Sequence, residues 1–326
     1  MNNPTHSRGA VALAIVGAIG CGSLVATQSR INGQLGHELG DGYLAAFISF
    51  GSGFVIMAIV AALHRGTGRG IASIFRAIKD GTTPWWYAVG GAAGALFVLS
   101  QGLTAAILGV ALFTVATVTG QTVSGLLVDR RGLGTMRPKP VTIFRLVGAI
   151  VAVVAVAFSV SPELQSGIAP WVLILPLLAG LSLGWQQAVN GQIREISGSP
   201  LTATFFNFAV GATVLGFVLL VHALVSGLPT HLSDKPYLYV GGAIGIIFVA
   251  GYAIVVRFTG VLVMGLAAIA GQLIASLVLD IALPVAGHQL AWTTVAGTFG
   301  TLVAIGIASI PSRLSVSRVE TGASRD

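Results

Sequence analysis

The chain has 326 residues, of which 55% are hydrophobic and only 8% are charged, whereas a typical soluble domain has about 25% charged residues. This composition, together with a mean hydropathy of +0.91 and 44 glycines that let helices approach closely in a bilayer, excludes an ordinary soluble domain and indicates a polytopic membrane protein. The formal net charge of +7 forms no basic face with interleaved aromatic residues, so nucleic acid is not an expected partner. The single cysteine excludes an intrachain disulfide.

Ten apolar segments, each near the length of about 17 to 25 residues that spans a bilayer, follow one another along the chain. The predicted transmembrane helices occupy residues 10–30, 43–63, 84–106, 108–128, 142–160, 171–190, 201–224, 237–257, 259–280 and 292–310. The third and fourth segments are barely separated, as are the eighth and ninth, and Gly109 and Gly260 stand at the predicted breaks. Residues 1–9 and 311–326 are expected to be tails, the second of them disordered, and residues 66–83 a basic linker.

The distribution of basic residues predicts the orientation of these helices. Of the 17 Lys and Arg residues, a cytoplasmic N-terminus places 15 on the cytoplasmic side and leaves only Arg30 and Lys235 outside. Cytoplasmic loops of membrane proteins carry the excess of Lys and Arg. The sequence therefore predicts that both termini lie in the cytoplasm, and the loss of one helix would scramble this pattern.

Much of the chain occurs twice. Residues 28–53 and 186–211 align without a gap at an offset of 158, with nine identical positions out of 26. Further along, at an offset of 151, residues 90–97 match 241–248 and residues 120–129 match 271–280. A period this long indicates a duplicated half-protein rather than a stack of short repeats.

The duplication predicts the fold class. Each half, residues 10–160 and residues 171–310, holds five predicted helices, and because five is odd the second half enters the membrane inverted. We therefore expect an all-α integral membrane protein of ten helices in two inverted five-helix repeats. This is the architecture of many secondary transporters, which bind substrate near the membrane midplane at the interface between the repeats.

Two amide pairs are the most repeated polar feature. Gln28 and Asn32 are four residues apart and share one helix face, and Gln186 and Asn190 repeat the arrangement. The glycine that follows each asparagine predicts a helix end or break. Two interpretations stay open: symmetry-related gates or substrate contacts on opposite faces of the membrane, or hydrogen bonds between helices worth about 0.6 to 2 kcal/mol each.

Two further pairs lie in the fourth helix of each half. Gln121 and Gln272 each follow a glycine and come eight residues before an aspartate, about 12 Å inside the helix end and near the middle of a bilayer core of about 30 Å. They are candidates for substrate binding, with polar contact between helices as the alternative. The aspartates Asp129 and Asp280 stand at predicted helix ends, where interfacial anchoring and proton coupling are the two interpretations.

The sequence holds no motif for an enzyme or an ATP-driven pump. There is no Walker loop, no HExxH and no nucleophile paired with a base, and the histidines show no metal-ligand spacing, so we expect no cofactor and no metal. Glycines four apart occur at Gly90 and Gly94 and again at Gly241 and Gly245. Such spacing suits close packing inside the monomer and also a homodimer.

The duplicated Q-x-x-x-N-G-Q element at residues 28–34 and 186–192, followed each time by a helix rich in Gly and Phe, resembles the drug/metabolite transporter (DMT) superfamily. It is most similar to the YdcZ-type branch (EamA-like) of bacterial inner-membrane exporters. The resemblance implies a bacterial inner (plasma) membrane location and efflux of small molecules. Small multidrug members of the superfamily carry a glutamate in the first helix, whereas this chain has Gln28, so the resemblance does not support proton antiport by that route.

The expected function is that of a secondary transporter that exports a small metabolite or drug-like compound by alternating access, with the lipid bilayer and that small molecule as its partners. The six amides named above are the expected substrate contacts. A passive channel or facilitator is the first alternative, favoured by the lack of a buried titratable group. A membrane scaffold that transports nothing is the second, favoured if the repeated amides only hold helices together.

Overall fold

The computed structural model describes residues 8–131, 142–162, 168–284 and 290–308. In these ranges the chain is helical, without a strand, and its α-helices are α1 (Arg8–Leu39), α2 (Gly42–Leu63), α3 (Arg65–Lys79), α4 (Gly91–Leu108), α5 (Val110–Arg131), α6 (Ile143–Ser159), α7 (Pro170–Ser197), α8 (Pro200–Ser226), α9 (Gly241–Ala282) and α10 (Trp292–Ala308). Short 3-10 helices, Trp85–Gly90 and Pro236–Tyr239, lead into α4 and α9. The predicted disordered tail, 311–326, lies outside the described residues.

Seven segments of the described chain are long and apolar enough to cross a membrane, and three shorter apolar helices accompany them. The protein is therefore an all-helical membrane protein, and its layout fits two repeats. The count of ten spanning helices and the cytoplasmic position of both termini stay predictions.

The predicted helix ends at Asn32 and Asn190 are wrong. Helix α1 continues to Leu39 and α7 to Ser197, and the following turns are made by glycines with positive φ, 63° at Gly40 and 65° at Gly198. These two glycines, unlike Gly33 and Gly191, take the left-handed conformation that residues with a Cβ avoid. Asp41 then caps α2, because its Oδ1 accepts hydrogen bonds of 2.9 Å from the amides of Tyr43 and Leu44.

The predicted linker at residues 66–83 is also largely helical. It contains α3, an amphipathic helix whose Ile74 is fully buried while its basic side chains Arg65, Arg69 and Arg76 stay on the outer side. The helix packs on the turn between α7 and α8, where Gly70 has no room for a Cβ beside Thr202 Oγ1. Apolar residues at helical spacing, 71, 74, 75 and 78, are the sequence signal for this amphipathic helix.

The break predicted at Gly109 is confirmed, because α4 ends at Leu108 and Gly109 takes a φ of 75°. The corresponding break at Gly260 is not found as a helix end, since α9 is helical from Gly241 to Ala282.

The two arms of α9 nevertheless run in opposite directions along α1. The neighbouring pairs, with the α1 residue first, are Gln28 with Gly245, Gly17 with Val255, Ile19 with Gly271 and Arg30 with Asp280. From the first pair to the second, the residue number falls in α1 while it rises in α9, so the helices are antiparallel there. From the third pair to the fourth, the residue number rises in both helices, so they are parallel there. The chain therefore reverses between Val255 and Met264, the latter of which packs near Ala14 and Ala18 of α1.

The second half contacts the first half in the same way, with α7 in the place of α1. Helix α7 packs along both α4 and α5, and its contact with α5 is backbone to backbone: a Cβ on Gly180 would lie 2.0 Å from the Thr117 carbonyl oxygen, and one on Gly120 would lie 2.2 Å from the Leu177 carbonyl oxygen. The last helices of the two halves, α6 and α10, pair at the side of the bundle through Gly148 and Gly297. Each half is thus held mainly by the other.

Two phenylalanines mark the centre of this arrangement. Phe50 and Phe208 are equivalent in the repeat, and their ring centroids are 5.1 Å apart with the rings tilted by 42°. Each ring fills the space left by a glycine of the other half: a Cβ on Gly211 would lie 2.2 Å from the Phe50 ring, and one on Gly53 would lie 2.2 Å from the Phe208 ring. An approximate twofold axis therefore passes between the two rings.

Candidate functional site

The repeated amides lie in two polar clusters, one beside α1 and one beside α7. The first amide cluster consists of Gln28, Ser29, Asn32, Ser49 and Gln101, and the second of Gln186, Asn190 and Asn207. Each cluster is covered by the glycine-rich start of a helix from the opposite half, by Gly241 of α9 at the first and by Gly90 and Gly91 before and at the start of α4 at the second. The repeat thus brings the amides to the interface between the halves.

Three members of the first amide cluster, Ser29, Asn32 and Gln101, form a buried hydrogen-bonded network. Asn32 Nδ2 donates to Gln101 Oε1 at 2.7 Å, Gln101 Nε2 donates to Ser29 Oγ at 2.9 Å, and Ser29 Oγ donates to the Val25 carbonyl oxygen at 3.0 Å. Gln28 Nε2 reaches across to the opposite half and donates to the Gly241 carbonyl oxygen at 2.7 Å. The network therefore ties α1 to α4, and Gln28 ties α1 to the start of α9.

Gly241 approaches this network more closely than any other residue type would allow. A Cβ on Gly241 would lie 2.3 Å from Asn32 Oδ1 and 2.7 Å from Ser49 Oγ, distances that real Cβ contacts do not show. The predicted close-packing role of Gly241 and Gly245 is therefore met inside the monomer, since Gly245 in turn lies against Gln28 and Phe208.

The second amide cluster has the same plan with different partners. Gln186 Nε2 donates to Asn207 Oδ1 at 2.8 Å, and Asn207 occupies the position that Ser49 holds in the first half. A Cβ on Gly94 would lie 2.6 Å from Gln186 Nε2, and one on Gly90 would lie 3.4 Å from Asn190 Oδ1. The glycines of the first half therefore contact the amides of the second half. In the same way, the glycines of the second half contact the amides of the first half.

The two clusters differ in how tightly they are closed. Asn32 is 0% exposed and Gly33 is packed against Ala105, whereas Asn190 is only half-buried and nothing lies within 4 Å of a Cβ on Gly191. Beyond the first cluster the helices meet through three glycines, Gly36, Gly42 and Gly102. In the second half, Arg194 and Pro200 stand at the positions equivalent to Gly36 and Gly42. The glycine contact therefore has no counterpart beside the second cluster.

Gln121 and Gln272 lie apart from both clusters. Each follows a glycine that packs on a backbone carbonyl oxygen, that of Leu177 for Gly120 and that of Ile19 for Gly271. Gln272 is 4% exposed and its Nε2 has no hydrogen-bond partner in the described part of the chain, whereas Gln121 is half-buried. Neither glutamine lines the open apolar groove of about 450 Å³ between α2 and α8 or the one of about 400 Å³ between α5 and α6. The role of Gln121 and Gln272 in substrate binding stays a prediction.

Asp280 is buried inside the protein, with an exposed fraction of 5%. Its Oδ1 and Oδ2 accept hydrogen bonds from the amides of Val110 at 3.0 Å and Ala111 at 2.7 Å, which are the unpaired donors at the start of α5. Arg30 Nη1 lies 3.9 Å from Asp280 Oδ1, and Arg30 Nη2 also donates to the Leu283 carbonyl oxygen. Asp280 therefore joins the end of α9, the start of α5 and α1. The side chain of Asp129 lies outside the described side chains.

Four members of the clusters were not predicted, namely Ser29, Ser49, Gln101 and Asn207. Gln101 and Asn207 are amides inside otherwise apolar predicted helices, and Ser49 and Asn207 stand at equivalent repeat positions. That equivalence is the signal that would have found two of them. As for metal ligands, the described residues contain no group of three or more His, Cys, Asp or Glu side chains placed to hold an ion.

These features define a two-repeat helical membrane protein with a covered amide cluster in each half. The family model of the DMT type described as "Putative inner membrane exporter, YdcZ" matches the chain twice, over residues 13–158 and 171–308. The chain belongs to this family, which is one of transporters rather than enzymes, and it is a multi-pass inner membrane protein.

Of two other comparisons, one supports the fold and the other finds no match. A solved structure described as "Crystal structure of protein" is 17% identical, with alignment over 96% of this chain and 100% of its own chain and a TM-score of 0.51. At this identity the likeness extends to the fold alone. No curated protein sequence matches the chain.

Proposed function

We propose that the protein is a secondary transporter that exports a small metabolite or drug-like compound across the inner membrane by alternating access. The observation that carries the proposal is that glycines of each half cover the amides of the other half. Gly241 of the second half covers Gln28 and Asn32 of the first, while Gly90 of the first half lies over Asn190 of the second. One rocking movement of the halves about the contact between Phe50 and Phe208 would uncover one pair and cover the other.

The unequal closure of the clusters supports the same cycle. Asn32 is sealed and Asn190 is half-buried, as expected if one end of the path is shut while the other is looser. With the orientation that the basic residues favour, the sealed end faces outward and the looser end faces the cytoplasm. The conformation then corresponds to the stage at which an exporter admits substrate from the cytoplasm.

In this cycle Gln28, Asn32, Gln186 and Asn190 act as gates and substrate contacts, and Gln121 and Gln272 as contacts deeper in the path. Asp280 and its repeat equivalent Asp129 are the candidate coupling groups. Protonation of Asp280 would remove the charge that faces Arg30 and would weaken its hold on the start of α5. The argument for a passive channel loses weight, because Asp280 is buried although it lies near a helix end.

The test is the reactivity of single cysteines at the two ends of the path. In a Cys21→Ala background reconstituted in liposomes, Asn190→Cys should react with a small maleimide faster than Asn32→Cys. Adding Gly241→Ala, which places a Cβ 2.7 Å from Ser49 Oγ whether or not Asn32 has been replaced, should open the first end, so that labelling rises at position 32 and falls at position 190.

The matched control is Gly265→Ala in the same helix, where nothing lies within 4 Å of the new Cβ, and it should change neither rate. A rise at position 32 without a fall at position 190 would contradict alternating access and would select a channel. Unchanged rates at both positions would select a rigid scaffold.

A further inference from the structure

Two oxygens of the first amide cluster have no hydrogen-bond partner in the described structure. They are Gln28 Oε1 and Asn32 Oδ1, and their residues are 3% and 0% exposed. Ser49 Oγ, next to Asn32 Oδ1 around Gly241, also lacks a partner. Native proteins pair nearly all buried polar groups, so an unpaired set at one point calls for an explanation.

The direction of the hydrogen bonds decides which atoms are left over. The Val25 carbonyl oxygen can only accept, so Ser29 must donate to it and Gln101 must donate to Ser29. Gln101 Oε1 is then the acceptor for Asn32 Nδ2, which leaves Asn32 Oδ1 as the free atom.

The same logic applies to Gln28. Its Nε2 donates to the Gly241 carbonyl oxygen, which cannot donate in return, so Oε1 is the free atom of Gln28. The cluster therefore presents two carbonyl acceptors and one hydroxyl that have no partner, whereas the amide nitrogens of Gln28 and Asn32 each already donate one hydrogen bond.

The charges around the cluster exclude the opposite kind of ligand. Its five members are all uncharged, and the nearest basic side chain along α1, Arg30, is engaged by Asp280 and by the Leu283 carbonyl oxygen. An anion with only acceptor oxygens would meet like atoms and no counter-charge. In the closed state, the positive end of α9 lies over Asn32 Oδ1 instead.

We propose that the substrate carries a hydrogen-bond donor group, a primary ammonium, a primary amide or a hydroxyl, which replaces the start of α9 at Gln28 Oε1 and Asn32 Oδ1 when this end opens. The inference rests on the proposed transport cycle. The start of α9 covers these two acceptors without hydrogen-bonding to them, so a molecule with suitable donors gains hydrogen bonds that offset the loss of the closed contact. Anions that only accept hydrogen bonds are rejected.

The experiment compares matched probes that share one body. Phenethylamine and 3-phenylpropanamide carry N–H donors, the N,N,N-trimethyl derivative of phenethylamine keeps the charge without them, and 3-phenylpropanoate only accepts. In thermal unfolding of the detergent-purified full chain, the two donor probes should raise the melting temperature in a dose-dependent way. The other two should leave it unchanged.

The variant Asn32→Leu should weaken the apparent Kd of the donor probes by about tenfold or more. The control is Gln34→Ala, half a turn further on, whose amide is directed to Glu38 and Tyr237, and it should keep the wild-type Kd. Equal shifts with the trimethyl or carboxylate probe, shifts that survive Asn32→Leu, or no shift with either donor probe would each overturn the proposal.

This outcome is separable from that of the transport cycle, because the cysteine-labelling test uses no ligand. Reciprocal labelling together with failed donor probes would remove the substrate class and leave alternating access. Donor-specific shifts without reciprocal labelling would leave the binding position and remove the cycle.

Discussion

Glycines set the distance between the two halves at single positions. A Cβ on Gly22 of α1 would lie 1.8 Å from the Ala268 carbonyl oxygen, and one on Gly271 of α9 would lie 2.1 Å from the Ile19 carbonyl oxygen. The two helices therefore touch along their backbones, and without a side chain between them the packing is tight enough to replace a hydrophobic driving force.

Gly22→Ala should lower the free energy of unfolding by roughly 1 to 3 kcal/mol, because the added methyl group has to push α9 away. The control is Gly20→Ala on the same helix, where nothing lies within 4 Å of the Cβ and where the higher helix propensity of alanine should raise the free energy by up to about 1 kcal/mol. Thermal unfolding in detergent measures both. Equal effects of the two substitutions would show that the crossing is looser than described.

The start of α5 depends on a side chain from the end of another helix. After the turn at Gly109, the first amides of α5 are satisfied by Asp280 of α9, where a soluble helix would use a capping residue of its own or water. A helix that begins inside a membrane bundle needs such a partner, since lipid offers none. The pair of the buried Asp280 and the half-buried Arg30 thus has a structural task that follows from the break at Gly109.

Asp280→Asn should lower the free energy of unfolding by about 1 to 3 kcal/mol, because it weakens the hydrogen bonds to the first amides of α5 and leaves the half-buried Arg30 without its counter-charge. In the double variant with Arg30→Met the loss should be smaller than the sum of the single losses, with a coupling of about 0.5 to 3 kcal/mol. Asp80→Asn, an exposed site at the end of α3, should stay within about 0.5 kcal/mol of the wild type. Additive losses would mean that the carboxylate and the guanidinium do not act together.

The fold as a whole is organised about the contact between Phe50 and Phe208. Each ring enters the glycine gap of the opposite half, and neither half could form this centre alone. A contact on the axis of two inverted repeats is also the place where a rocking movement displaces atoms least. The same rings therefore serve the stability of the protein and the proposed cycle.

Phe50→Ala and Phe208→Ala should each lower the free energy of unfolding by about 3 to 5 kcal/mol, as large buried truncations do. The double variant should lose less than the sum by about 0.5 to 1.5 kcal/mol, the share expected for a pair of aromatic rings. Phe299→Ala, at a side chain that is 59% exposed, is the control and should have a small effect. Unequal losses from the two phenylalanines would show that the halves do not share the centre equally.

Several features of the molecule could be derived from the amino-acid sequence because they depend on composition and on local pattern. Membrane insertion follows from hydropathy, the two-repeat layout follows from the offset between the copies, and the break at Gly109 follows from a glycine between two apolar runs. The repeated amides also pointed to Gln28, Asn32, Gln186 and Asn190, which the fold brings to the interface between the halves.

Only the tertiary structure decided how these amides are used. Gly241 is more than 200 residues from Gln28 and Asn32, so its cover over them depends on how the halves pack and leaves no local pattern. The same holds for Asp280, whose partners Val110 and Ala111 come from the other half, and for the turns at Gly40 and Gly198, which replace the expected ends at Asn32 and Asn190. An amide group offers a donor and an acceptor on the same side chain, and which of the two stays free is set by the partner that the fold supplies.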